Sequence, residues 1–191
     1  MQQYELRNKR MFKVQKEIEI TPTSVLLDGQ QIATTETGEK MLVELYRRFA
    51  GDYPKFFKMD TLCRLGFIAA EILIKEPTSN GQQPTAVILA NRSASIKNDT
   101  DYLATISEGN YYPSPALFVY TLPNIVTGEI AIRHHIQGET SFYILNNPEQ
   151  LEQIILSTFN FQLSTLIVGW CECSKPNEFY AKMQIIYGTT D

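Results

Sequence analysis

Few side chains in this 191-residue chain could carry a reaction, and they fall in a handful of places. His134-His135 are the only two histidines, and the three cysteines are Cys63, Cys171 and Cys173. The Cys171-x-Cys173 pair with His134-His135 would supply four zinc ligands. Yet adjacent residues on a strand point to opposite faces, and the usual Cys-x-x-Cys spacing is missing, so no metal site is expected. A cysteine could also meet a histidine in space to make a thiolate nucleophile. His134-His135, however, close a helical pattern, where a cation complements the helix dipole. Neither GxGxxG nor GxxxxGK[ST] occurs, so no phosphate-cradling loop and no cofactor are expected. GxSxG is missing too, which removes the nucleophile elbow of one large hydrolase class. The small polar run Asn91-Arg92-Ser93-Ala94-Ser95 follows an apolar strand pattern. It is either a site wall or a plain connection, since ligands of open α/β sheets gather outside the carboxyl ends of strands.

The elements that must position these residues follow from periodicity. Phe12 to Ile20 alternates, with Val14, Ile18 and Ile20 expected on one face of a half-buried strand. Val25-Leu26-Leu27 starts a second strand, and Asp28-Gly29 supplies a hairpin turn. Met41, Leu42, Leu45, Tyr46 and Phe49 recur at helical spacing, and Gly51 is the stop. After Asp60, Leu62 to Leu73 has an apolar face so broad that its helix must pack on more than one side. Pro77 ends it, and residues 78–84 read as a polar loop. Thr85 to Ala90 reads as a strand buried on both faces. Asn98 to Asp101 is expected to cap a short helix ending near Gly109. Pro123 is expected as the first residue of a helix through Ile125, Val126, Ile130 and Ile132, with Gly138 as its stop. Thr140 to Leu145 is a strand, and Pro148 opens a helix through Leu151, Ile154, Ile155, Leu156 and Phe159. Leu163 to Cys171 is a further buried strand, and Glu178 to Tyr187 is expected as an antiparallel edge strand. Strands alternating with helices predict a layered mixed α/β domain.

Composition narrows the classes further. A net charge of −4 and a pI near 5.3 do not advertise nucleic acid as a partner. No apolar run approaches the ~20 residues that span a bilayer. The start of the chain lacks the apolar segment of a secretory signal. With an odd number of cysteines, reduced thiols in a cytoplasmic protein are the expectation. One domain over residues 1–191 is expected, with 1–11 as a flexible lead-in.

At Pro115, Phe118, Asn124, Gly128, Ile130, Ala131 and Gly138 the sequence resembles a known family. These residues are similar to the segment of β-ketoacyl-acyl-carrier-protein synthases that leads to their nucleophile. Met59-Asp60 to Leu73 is similar to the helix after that family's first strand, and Ala86 to Asn91 to the following strand. Gly169-Trp170-Cys171-Glu172 looks like the family's G-G-x-E, with Trp170 in place of the second glycine. The resemblance covers roughly residues 55–175. It implies one half of the thiolase-like fold, the N-terminal half.

The resemblance also implies where the reaction should lie. The nucleophile falls at Asn146 or Asn147, with Pro148 next. A ketosynthase needs a thiolate there, and an asparagine amide cannot form the thioester. The family's two histidines belong to a second half-domain, and the chain is expected to end before one begins. The implied protein is therefore a non-catalytic ketosynthase-like scaffold of fatty-acid or polyketide-type biosynthesis. Its implied partners are a full-length ketosynthase, an acyl carrier protein or a second copy in a homodimer. Asn91, Ser93 and Asn124 are candidates for substrate contact. The helix from Pro148 would be sandwiched in the family, so Ile154-Ile155-Leu156 is expected to leave an apolar strip. The alternative is an enzyme of different chemistry that handles acyl groups with Cys171 or a histidine.

Overall fold

Alternation and turn chemistry build the first unit. The computed structural model describes residues 12–74, 84–109, 112–158 and 165–188. β1 (Phe12–Thr21) pairs antiparallel with β2 (Ser24–Leu27), and Asp28-Gly29 turns the chain into β3 (Gln30–Gln31). Both turn residues have positive φ, 51° and 76°, which matches the right-handed twist of a tight hairpin. Ile18 and Ile20 are fully buried as expected, but Val14 is half exposed. The register of β1 slips between Val14 and Lys16, and this bulge turns Val14 to the opposite face of the sheet.

α1 (Gly38–Phe49) buries Met41, Leu42, Leu45 and Tyr46, one stripe of an amphipathic helix. A 3-10 turn, Pro54–Lys58, leads to α2 (Thr61–Ile74). Every residue of α2 from Thr61 to Leu73 except Arg64 is buried, as its all-round apolar face demands. Asp60 starts it, its Oδ1 accepting from Cys63 N at 2.9 Å. Pro77 and the polar loop after it lie outside the described residues, apart from Pro84.

β4 (Ala86–Asn91) is buried at all six positions. α3 (Ile96–Leu103) begins earlier than expected, with Ser95 and not Asn98 in the capping position, and ends well before Gly109. Asn98 is buried and bonds out of the helix to Leu117 O, so its polarity serves packing and not a cap. A short helix that periodicity did not foretell, α4 (Pro115–Val119), precedes α5 (Ile125–His134). Pro123 is not the first residue of α5; Asn124 caps it. Gly138 is not its stop either, because His135 closes the helix in a left-handed conformation with φ 55°. Gly138 is needed elsewhere: a Cβ there would lie 2.1 Å from the Thr85 carbonyl oxygen, to which Gly138 N donates. The chain continues through β5 (Thr140–Ile144), α6 (Pro148–Thr158), β6 (Thr165–Lys175) and β7 (Glu178–Gly188).

The seven strands form one sheet in the order β3-β2-β1-β7-β6-β4-β5. β4 is parallel to both β5 and β6, and the other pairs are antiparallel. β7 is therefore interior, not an edge: β1 returns from the start of the chain to pair along its far side. The open edges are β3 and β5. Alternate residues divide two cores. Val87 and Leu89 join α1, α2 and α5 in the larger one, while Ala86, Ile88 and Ala90 join Leu151 and Ile155 of α6 in the smaller. The result is a mixed α/β layered domain with helices on both faces. No helix of the described residues is long and apolar enough to cross a membrane. The proposed lead-in, residues 1–11, lies outside the described residues.

Candidate functional site at the carboxyl ends of the parallel strands

Because β4, β5 and β6 run parallel, their carboxyl ends come out at the same end of the sheet. The register sets Asn91 beside Ile144 and Ala90 beside Trp170. The loops that leave from there carry Asn91 to Ser95 and Asn146-Asn147, with Glu172 on β6 beside them.

Asn91 is completely buried. Its Nδ2 donates to Ala94 O and its Oδ1 accepts from Ala94 N, both at 2.8 Å, so the side chain closes its own loop. Its backbone oxygen accepts from Leu145 N at 2.8 Å, which ties this loop to the one that follows β5. Ser93 Oγ donates to one oxygen of Glu172, and Arg92 N donates to the other at 2.8 Å. Glu172 is the residue that sequence reading matched only as part of a motif; its partners are 79 and 80 residues away, beyond the reach of local pattern. A serine held by a carboxylate, with no imidazole between them, is a structural tie and not an activated nucleophile.

Asn147 and Asn146 sit in the strand–turn–helix junction between β5 and α6. Asn147 Oδ1 accepts from Gln150 N at 3.2 Å, and Gln150 Oε1 accepts from Asn146 N at 2.7 Å. This reciprocal pair satisfies donors at the helix start in the manner of a capping box. A thiol here would meet the positive end of a helix dipole, which favours a thiolate. The asparagine amide there caps the helix instead. Asn124, the third candidate for substrate contact, is exposed at the start of α5, and its backbone oxygen accepts from Thr127 Oγ1 and Gly128 N.

The cysteines lie on the other face of the sheet and the histidines at the other end of the strands. Cys63 on α2 and Cys171 and Cys173 on β6 are free thiols buried in the larger core, on the face opposite α6. Burial pushes the Cys63 and Cys171 thiols well above the ordinary range and Cys173 up to about 12. Thiols so placed are poor nucleophiles. His134 and His135 end α5, whose following segment reaches Gly138 and the Thr85 carbonyl at the start of β4. They are thus at the amino ends of the parallel strands, with the length of β5 between them and Asn147. His134 Nε2 stands 2.9 Å from Glu71 Oε1, which also accepts from Arg133 Nε at 3.0 Å. Burial raises the Glu71 pKa, but the close approach of the His134 ring and the hydrogen bond from Arg133 outweigh it and hold the carboxyl below its usual range. Nearby, Glu129 accepts from Tyr53 Oη at 2.9 Å and pairs with Lys55. These are internal ties between the 51–58 segment, α2 and α5. Among the described residues, no group of three or more His, Cys, Asp and Glu side chains is placed to hold a metal ion.

A groove of about 420 Å3 lies on the α6 face, beginning at Pro148 and Glu149 beside the Asn147 cap. Leu151 and Ile155 of α6 and Val14, Trp170, Tyr180 and Ile186 of the sheet line it. The apolar strip expected at Ile154-Ile155-Leu156 is not left open: Ile155 is buried on the sheet, Ile154 and Leu156 are half-buried, and Leu156 packs against the smaller core. Sequence reading missed the groove because its walls come from four separate elements, and Val14 reaches it only through the bulge in β1.

No protein-family model matches the sequence, and no curated protein sequence does. Solved structures, by contrast, share the fold. A chain of the ketosynthase (ApeO) in complex with its chain length factor (ApeC) from Xenorhabdus doucetiae superposes with a TM-score of 0.64 at 11% identity. That match covers 94% of this chain and 80% of the other. The ishigamide ketosynthase/chain length factor superposes with a TM-score of 0.62 at 13% identity, over 93% of this chain and 62% of the other. This chain therefore spans less than two thirds of the length of the second structure. The fold is the thiolase-like one of ketosynthase and chain length factor chains.

Proposed function

We propose that this chain is a non-catalytic, ketosynthase-like protein of fatty-acid or polyketide-type biosynthesis that works by binding. One observation carries the reading. At the strand–turn–helix junction where the resemblance requires a thiolate, Asn146 and Asn147 are engaged in capping α6. The burial of all three thiols on the other face of the sheet supports the same reading and weighs against an acyl-handling enzyme built on Cys171. The histidines stand at the opposite end of the strands, His134 beside Glu71, and weigh against a histidine-based one. We read residues 1–191 as a single domain equivalent to the N-terminal half of a ketosynthase.

The partner in this reading is a full-length ketosynthase, an acyl carrier protein or a second copy. In its support, the first structural neighbour is described as a ketosynthase in complex with its chain length factor. Three unpaired thiols favour a reducing, cytoplasmic setting. The test is intact-protein mass spectrometry after incubation with acyl-loaded carrier protein. The expected result is an unchanged mass. A covalent acyl adduct on Cys63, Cys171 or Cys173 overturns the proposal.

A further inference from the structure

Asp60 stands partly buried at the head of α2, and among the described residues its carboxyl forms no ion pair. Its Oδ1 accepts from Cys63 N at 2.9 Å. The two cations whose charge reaches it are engaged elsewhere. Lys97 of α3 pairs with Asp101 at 2.8 Å, and Arg64 of α2 donates to Phe56 O at 3.2 Å and Phe57 O at 2.9 Å. The thiols of Cys63, Cys171 and Cys173 and the Tyr120 phenol also face it. Burial pushes Cys173 and Tyr120 up to about 12 and the other two thiols well above the ordinary range, so all four stay neutral near pH 7. Two further carboxylates are close, and both have side-chain partners. Glu39 of α1 accepts from Thr61 Oγ1 at 2.9 Å, and Glu129 of α5, which reaches Cys63 and Tyr120, is held by Lys55 and Tyr53.

What closes over Asp60 is weakly anchored. A cleft of about 150 Å3, too narrow to admit a water molecule, has Asp60 and Cys63 on one side and Tyr120, Leu122, Pro123 and Val126 on the other. α2 cannot give way, since it is buried almost throughout. α4, which leads into the covering turn, buries no residue, and α3 beside it buries only Asn98. Polar ties hold the segment down: Asn98 Nδ2 donates to Leu117 O at 2.8 Å, and Ser95 Oγ to Thr121 O at 2.6 Å. The first tie is incomplete, because Asn98 is buried while its Oδ1 has no hydrogen-bond partner. A buried acceptor left unpaired is a standing cost that water relieves. Elements with few buried apolar contacts open well before the whole protein unfolds. Lifting α4 and the turn after it would bring water to the Asn98 amide and to the Asp60 carboxylate together.

We propose that α4 and the Tyr120–Pro123 turn form a pH-sensitive cover over the start of α2, closed while Asp60 carries its proton and opened by its ionisation. The carboxyl, raised from 3.8 to about 6 under the cover, returns towards 3.8 once it is wetted, so opening grows as pH rises through about 6. The open fraction should rise about 10-fold between about pH 5 and about pH 8. Hydrogen exchange of the full chain, followed by NMR and divided by the intrinsic rates, reads it at the amides of Phe118, Tyr120 and Thr121. These donate to Ser114 O, Leu117 O and Phe118 O. Their protection is expected to fall about 10-fold over that range and to stay below that of the β4 amides throughout. In Asp60→Asn the change should shrink to under about twofold. Asp60→Ser, which keeps a capping oxygen without a charge, should behave as the asparagine variant does. At about pH 8 an aromatic disulfide reagent should label Cys63 at least about 10-fold faster in the wild type than in Asp60→Asn. Cover amides as strongly protected as those of β4, or a protection that does not change with pH in the wild type, overturn the proposal. So does a pH dependence that persists in both variants. The acylation test bears on neither result: an adduct would remove the non-catalytic reading and leave the cover.

Discussion

Asp60→Asn should stabilise the protein at neutral pH, although it removes a charge from the start of a helix. Asp60 Oδ1 accepts from Cys63 N at 2.9 Å and its backbone oxygen from Arg64 N at 2.9 Å, so it caps α2. Burial against the core nonetheless pushes its carboxyl from 3.8 up to about 6, more than the Cys63 hydrogen bond and the Lys97 charge pull it down. A carboxyl whose pKa is raised on folding binds its proton more tightly in the native state. The stability tied to that proton is complete below about pH 3.8 and is lost as pH rises through about 6. A shift of roughly two units corresponds to about 3 kcal/mol forgone at neutral pH. Asparagine keeps the oxygen acceptor and ranks with aspartate as a cap. It gives up only the attraction of a carboxylate to the helix dipole, about 0.3–1 kcal/mol. The net expectation is a gain of about 2 kcal/mol at about pH 8 that shrinks towards zero at about pH 3. Urea unfolding of both proteins at the two pH values, with equal slopes, measures it. A variant less stable than the wild type by about 1 kcal/mol at the higher pH refutes the reasoning. So does a difference that is the same at both.

Other perturbations test the site and its supports. Asn91→Ala removes both side-chain hydrogen bonds that close the loop after β4 and should cost about 2–3 kcal/mol in a urea melt; a loss under about 0.5 kcal/mol would deny the buried tie. Gly138→Ala forces a Cβ against the Thr85 carbonyl and should cost about 2 kcal/mol or more. Gly109→Ala, at a φ of +84° with open space around it, should cost only about 1 kcal/mol, and the reverse ranking would contradict the close approach of α5's exit to β4. Native protein should react slowly with an aromatic disulfide reagent at all three cysteines, and all three should react at once in denaturant. One thiol labelled at the rate of free cysteine would point to a reactive site that the buried positions do not contain.

Much of the scaffold is legible in the sequence because burial leaves a periodic mark. α1 shows a stripe, α2 a broad apolar face and β4 an unbroken apolar run, and each predicts how many sides are covered. Boundaries proved harder where several residues could serve one role. Ser95 displaced Asn98 as the cap of α3, and His135 closed α5 in place of Gly138, whose lack of a side chain is used against Thr85. α4 was invisible because five residues, with none of them buried, carry no period.

The candidate site divides the same way. That a strand, Asn146-Asn147 and a Pro-started helix follow one another, with no cysteine at the junction, is a property of the sequence alone, since turn and cap chemistry act within a few residues. Three further features could come only from the tertiary structure: Glu172 reaching the Asn91–Ser93 loop, the three thiols turned to the face opposite α6, and the histidines left at the far end of the strands. Periodicity reports which side of an element is buried and not what lies against it. The bulge that sends Val14 to the other face, and the pairing of β1 with β7 that makes β7 interior, both depend on strands about 170 residues apart in the chain. No local pattern encodes a partner at that distance; the sheet that assembles them decides it.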